Sequence, residues 1–163
     1  MISNFLSKEN VTLLLSILGI AGSASSWLYT IIKSRKRFEV RINGYRANAH
    51  GVLLHVQLIN KSTLALSIGN ISICSGKEYP ANPLPAKVLS RTHRVGDEVK
   101  SHKEYYSMSF PVNLPPLCGV SGYLYFSSGE ENFPQLSNSV TLIIHTNRGR
   151  EVKKTLPLGN LLN

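Results

Sequence analysis

Two cysteines, one tryptophan and nine acidic residues in 163 positions set the first limits. Cys74 and Cys118 are too few for a disulfide scaffold, and neither belongs to a C-x-x-C pair or a zinc-spaced Cys/His cluster. No metal and no cofactor is expected on that basis. Local catalytic signatures are also missing: there is no G-x-S-x-G elbow, P-loop, H-E-x-x-H helix or G-x-G-x-x-G turn. The shortage of acid is the most informative absence. Against the nine acidic residues stand 18 lysines and arginines, for a formal charge of +9 and an isoelectric point near 9.8. Such a surplus points to nucleic acid or an anionic membrane, and the placement of the charge decides between them.

Residues 11–32 carry no charge at all. As a helix they reach about 33 Å at ~1.5 Å per residue, enough for a ~30 Å hydrocarbon core. Trp27 and Tyr29 sit where aromatic rings favour the lipid interface, and Lys33, Arg35, Lys36 and Arg37 follow at once. Before the helix stands Lys8; soon after it come those four cations and then Arg41 and Arg46. This asymmetry predicts a single-pass protein with its N-terminus outside and its C-terminal domain in the cytoplasm, where both cysteines stay reduced. The expected layout is a tail over residues 1–10, a transmembrane helix over 11–32, a basic juxtamembrane linker over 33–37 and one β domain over 38–163. Lys33, Arg35, Lys36 and Arg37 are the membrane-surface and topology residues. The rival reading is a cleaved export signal, with small residues Ala21, Gly22, Ser23 and Ala24 at the cleavage point. The renewed apolar run after that point and the cations beyond it oppose cleavage.

One helix face differs from the rest. Thr12, Ser16, Gly19, Ser23, Ser26 and Thr30 recur at steps of three and four, within a stripe about 80° wide at ~100° per residue. Small and hydroxyl residues in such a seam let a second helix approach closely. The seam therefore predicts packing against another protein or a second copy of this chain.

After the helix the pattern changes to short alternating runs broken by turn residues. Phe38, Val40 and Ile42 alternate with polar neighbours, as do Val52, Leu54, Val56 and Leu58, then Leu64, Leu66 and Ile68. Gly69 and Asn70 shift the phase to Ile71 and Ile73, which predicts a β-bulge. Pro80, Pro83 and Pro85 mark a loop. Residues 90–103 are charged and unpatterned, which suggests an exposed hairpin. A strand is expected over residues 105–112 and another over 122–126, with a polar loop over 127–139. The closing pair of strands turns at Asn147, Arg148 and Gly149. The spacing predicts a mainly β fold: an antiparallel sandwich of seven or eight strands. In plan the chain resembles small bacterial or phage single-pass membrane proteins that carry an immunoglobulin-like β-sandwich on one N-terminal helix. That resemblance implies the immunoglobulin-like architecture but no catalytic motif, and the order Cys…Trp…Cys of antibody domains is not present, since Trp27 lies in the helix.

Residues 38–163 hold 13 cations and 8 anions, so the basic character is concentrated beside the membrane. Arg91, Arg94, Lys100 and Lys103 gather in one segment, but elsewhere cations and aromatics are not interleaved, which disfavours nucleic acid. His93 and His102 share that segment; two histidines do not make a zinc site. Glu130 and Glu131 form an acidic pair suited to solvent. Asn10, Asn60 and Asn70 begin glycosylation-type triplets that have no bearing on a cytoplasmic domain. The expected function is a membrane-anchored, non-enzymatic interaction module whose protein partner binds through the helix seam or the β domain. The alternatives are an exported β-sandwich binding protein and a membrane-tethered enzyme.

Overall fold

A computed structural model describes residues 8–96, 98–129 and 132–162. The chain divides into two compact units, with the boundary between Arg35 and Lys36. The first holds a single helix, α1 (Lys8–Lys33), in which no residue is buried. Its 26 residues, with an 18-residue stretch of mean hydropathy 1.7, make it long and apolar enough to cross a membrane, a make-up that an N-terminal export signal shares. Glu9 in the first turn and Lys33 in the last complement the helix dipole. The helix thus includes residues 8–10 of the expected tail; residues 1–7 lie outside the described residues.

The second unit is built from strands β1 (Phe38–Asn48), β2 (Gly51–Asn60), β3 (Leu66–Ser75), β4 (Lys77–Pro80), β5 (Lys87–Val95), β6 (Glu98–Tyr106), β7 (Val112–Leu114), β8 (Gly119–Ser127), β9 (Ser139–Thr146), β10 (Val152–Pro157) and β11 (Asn160–Leu161). One sheet runs β11-β1-β2-β8 and a second β10-β9-β3-β4, with β7 also pairing to β3. β5 and β6 pair with each other as a separate two-stranded sheet. The pairing is antiparallel except at the edge, where β11 lies parallel to β1. The strands outnumber the expected seven or eight because several are short. β4 runs into the start of the expected proline loop, and the expected strand over residues 105–112 is divided between β6 and β7. Pro111, with no N–H to give a ladder, lies in that break.

Alternation explains the core. β2 turns Val52, Leu54, Val56 and Leu58 to one side, and β8 adds Leu124 and Phe126. β3 contributes Leu66, Ile68, Ile71 and Ile73, and β9 contributes Val140, Leu142 and Ile144; all join one cluster shared by the two larger sheets. The register of β3 against β9 slips between Ile68 and Asn70. That bulge keeps Ile68 and Ile71 on the same face although they are three residues apart; a regular strand would turn one of them to solvent. At another close approach, a Cβ on Gly159 would lie 2.5 Å from the backbone carbon of Asn43, so β11 reaches β1 because that position has no side chain.

Two side chains fasten the periphery. Phe133, from the loop expected to be wholly polar, is buried with its ring 4.7 Å from that of Tyr79. Asn60 is fully buried at the end of β2. Its Nδ2 donates to the carbonyls of Leu64 (2.9 Å), Leu114 (3.1 Å) and Pro115 (3.0 Å), while Oδ1 accepts from the N–H and hydroxyl of Ser62. Burial excludes the first of the domain's glycosylation-type triplets as a modification site.

The two cysteines are free. Leu66 pairs with Leu114, and β3 then carries Cys74 eight residues further along, about 25 Å at ~3.3 Å per residue. Cys118 stays at the near end, its carbonyl accepting from Asn60 N–H at 2.8 Å. A disulfide needs Cα atoms within ~7 Å, so the pair cannot close without unfolding a sheet.

Truncating the buried amide should be severe. Asn60→Ala removes the amide from three carbonyls and from Ser62 and should lower stability by about 3 kcal/mol. Asn60→Asp, which turns a carboxylate oxygen toward those carbonyls, should cost at least as much. Urea unfolding followed by far-ultraviolet circular dichroism in mild detergent reads both; midpoints equal to wild type would refute the role given to Asn60.

Candidate functional site

The residues singled out on the helix all lie on exposed surface. Thr12, Ser16, Ser23 and Thr30 donate their hydroxyl hydrogens to the carbonyls four residues earlier, at 2.8–2.9 Å. Their donors are therefore satisfied inside the helix, and the seam offers a neighbour acceptor oxygens and closeness of approach. Around Gly19 there is open space, and Ser16, Gly19 and Ser23 line a shallow groove of about 570 Å³ with Ile20, Ala24 and Trp27.

The four juxtamembrane cations are divided between the two units. Lys33 donates to the Tyr29 hydroxyl at 2.8 Å and belongs to the helical unit with Arg35. Lys36 belongs to the β unit. Its ammonium donates to Thr146 Oγ1 (2.9 Å) and to the carbonyls of Arg148 and Arg150 (both 2.8 Å). Burial, and secondarily the Arg148 charge, hold its pKa below the usual lysine value. Three acceptors fill its three donors, so its role differs from that of an open headgroup contact. Arg37 is exposed.

The hairpin β5–β6 is the part of the β unit that the core does not account for. Its residues are almost all exposed. Its base is fixed by Ser107, which is buried: Ser107 N–H donates to the Ala86 carbonyl and its Oγ accepts from Ala86 N–H, at 2.8 and 2.9 Å. Tyr105 then meets Tyr123 of β8 edge-on at 5.8 Å, and Tyr123 lies 4.9 Å from the His55 ring. Between the hairpin base and the outer face of the first sheet is an open cavity of about 610 Å³, lined by Arg46, Leu53, Lys87 and Tyr125 among others. Further out, Arg91 and Lys103 stand directly opposite each other across the ladder. Like charges so placed repel. They border a second hollow of about 430 Å³ together with His93 and Tyr105, and the Lys103 ammonium lies 5.2 Å from the Tyr105 ring centre.

On the other face of the hairpin, Glu104 collects Lys87, Tyr106 (2.8 Å) and His102 (3.3 Å). Those hydrogen bonds, that from Lys87 foremost, hold its pKa near 2. The same pairing raises the pKa of Lys87 and that of Tyr106. His102 also meets Thr92 Oγ1 at 2.9 Å. His93 pairs with Ser101 and His102 with Thr92, so the two histidines point to opposite faces and do not meet. Among the described residues no group of three His, Cys, Asp or Glu side chains is placed to hold a metal. Glu130 and Glu131 lie outside the described residues.

The sequence marked this segment by its cations. The aromatic row from His55 through Tyr123 to Tyr105 was not legible, because it joins three strands distant in sequence. No known family model matches the chain, and no curated protein is similar to it.

Acid should loosen the hairpin locally. A carboxyl depressed in the folded state contributes stability above its unfolded pKa and loses it as pH falls through the folded value. Hairpin order, read by NMR contacts between Leu89 and Tyr105, should hold from pH 7 to about 4.5 and decline toward pH 2. Glu104→Gln should loosen the hairpin already at pH 7 and flatten this dependence. A wild-type hairpin unchanged at pH 2, or a Gln variant with the wild-type profile, would contradict the assignment.

Proposed function

We propose that this chain is a membrane-anchored, non-enzymatic interaction module. In this reading α1 spans the bilayer with the N-terminus outside. The β unit is an immunoglobulin-like sandwich in the cytoplasm, and the β5–β6 hairpin grips an acidic segment of a protein partner. The layout is that of the bacterial or phage single-pass proteins that the sequence resembles. The observation that carries the proposal is the hairpin: an exposed, firmly based ribbon with Arg91 and Lys103 directly opposed. A protein keeps a repulsive pair of this kind at little cost where an incoming anion relieves it. Arg46 extends the same sign of charge to the cavity beneath, where Lys87 is paired with Glu104, and Tyr105 and Tyr123 supply rigid apolar area for contact. The uncharged run over residues 11–32 and the cations beyond it support the anchor and its orientation. The small-residue seam provides a second place of contact, with another helix or a second copy.

Photo-crosslinking in native membranes tests both contacts. In one variant an Asn-Gly turn replaces residues 91–103 between Ser90 and Glu104, which shortens the hairpin and leaves its base. The shortened chain should keep its circular dichroism spectrum and lose the adduct to its protein partner. Gly19→Leu should keep that adduct and weaken the helix-mediated one, since a bulky side chain prevents close approach. Identical adducts in wild type and both variants would sink the proposal, and adducts to nucleic acid in place of protein would reassign the hairpin.

A further inference from the structure

The end of the β unit that carries its first residue combines two features. One is charge. Lys36 draws in the carbonyls of Arg148 and Arg150, which fixes the β9–β10 turn beside the start of β1. Lys61 N–H donates to the Arg37 carbonyl at 2.8 Å, which brings the β2–β3 turn to the same place. Arg37, Lys61 and Arg150 are exposed there and Arg148 is half-buried. The nearby acid Glu39 is already paired with Lys61 and Arg41, and Glu151 lies 3.7 Å from His145. The second feature is apolar. Leu117 is 70% exposed and Leu64 46%. Leu117 also holds a left-handed backbone, φ 55°, which a branched side chain adopts only under constraint. Ser62 joins the two features: its carbonyl accepts from Leu117 N–H at 3.2 Å and its hydroxyl from Arg148 Nη1 at 3.4 Å.

Protruding leucines among cations match a bilayer surface, where apolar side chains enter the acyl boundary and cations meet anionic headgroups. Chain connectivity selects this occupant. Two residues, Ser34 and Arg35, separate Lys33 from Lys36, and the three steps between them span roughly 11 Å at most. With α1 in the bilayer, the end that holds Lys36 stays within reach of the headgroups. We infer that this end of the β unit is a membrane-docking face: Leu64 and Leu117 enter the interface while Arg37, Lys61, Arg148 and Arg150 bind anionic lipid headgroups. The inference rests on the anchor reading, but not on any partner of the hairpin. It extends the juxtamembrane signal to turns distant in sequence, that of Arg148 more than a hundred residues away.

Hydrogen–deuterium exchange on the full chain in nanodiscs tests it. One set of discs is phosphatidylcholine alone; the other contains about a third phosphatidylserine, a composition that gives the surface its negative potential. Exchange over residues 61–65, 115–119 and 147–151 should be at least about threefold slower in the anionic discs, and the difference should fade near 0.5 M salt as charge is screened. Arg148→Gln with Arg150→Gln should abolish the difference. Arg91→Gln with Arg94→Gln, which removes the same charge from the hairpin, should not. Leu117→Asn should speed exchange at 115–119 in both discs without lowering the melting temperature, because Asn accepts a positive φ more readily. Equal exchange in the two discs, or equal loss from the hairpin variant, would overturn the docking face. Failure to enter zwitterionic discs would count against the anchor alone. Lipid preference would then be read by co-sedimentation with vesicles of the two compositions, and indifference to phosphatidylserine would overturn the face there as well.

Discussion

The buried amide of Asn60 is the constraint on which one end of the β unit depends. A turn and the end of β7 there present backbone carbonyls to the interior, and a buried carbonyl short of donors is costly. Only a side chain with both donor and acceptor can serve them together, which is why an amide occupies the end of β2. Asn60 holds Leu64, Leu114 and Pro115 by their carbonyls and orders Ser62 by its oxygen. Ser62 in turn positions Leu117 and Arg148. One interior residue thus sets the shape of the end of the β unit that carries Lys36.

Lysines close the joints around it. Lys36 ties the start of the unit to the β9–β10 turn. Lys154, on the inward side of the edge strand β10, donates to the Phe38 carbonyl at 2.8 Å and lies 4.8 Å from the Phe38 ring centre. An inward-pointing charge on an edge strand discourages pairing with another chain. Here it also links the second sheet to the first strand of the other. The formal charge of +9 therefore overstates what is available to a partner. Part of it fastens the fold, and the remainder gathers on the hairpin and on the end of the β unit that carries Lys36.

Alternation made the long strands legible, because β1, β2, β3 and β9 each bury one face and the pattern records it. The bulge at Gly69 was visible for the same reason: a phase shift in buried residues has few other causes. The turn at Gly149 followed from residue chemistry, and its φ of 69° agrees. Short elements escaped. β4, β7 and β11 have two to four residues, too few to show a period. Phe133 escaped because a single aromatic in a polar loop has no periodic neighbours. The engagement of Lys36 escaped because its acceptors lie 110 or more positions away. Local composition marked the hairpin as charged, but the opposition of Arg91 and Lys103 depends on register, which a bulge near each end of the ladder sets.

The account turns on an uncleaved anchor with the β unit on the inner side. Sealed cells expressing the chain can be treated with a membrane-impermeant, amine-reactive reagent, and the protein then recovered and mapped by mass spectrometry. The account predicts an intact chain near 18.0 kDa, labelled at Lys8 or the terminal amine and unlabelled at Lys100 and Lys103 until the cells are opened. A chain that lacks the segment through Ala24, or one labelled at Lys100 and Lys103 in sealed cells, would contradict it.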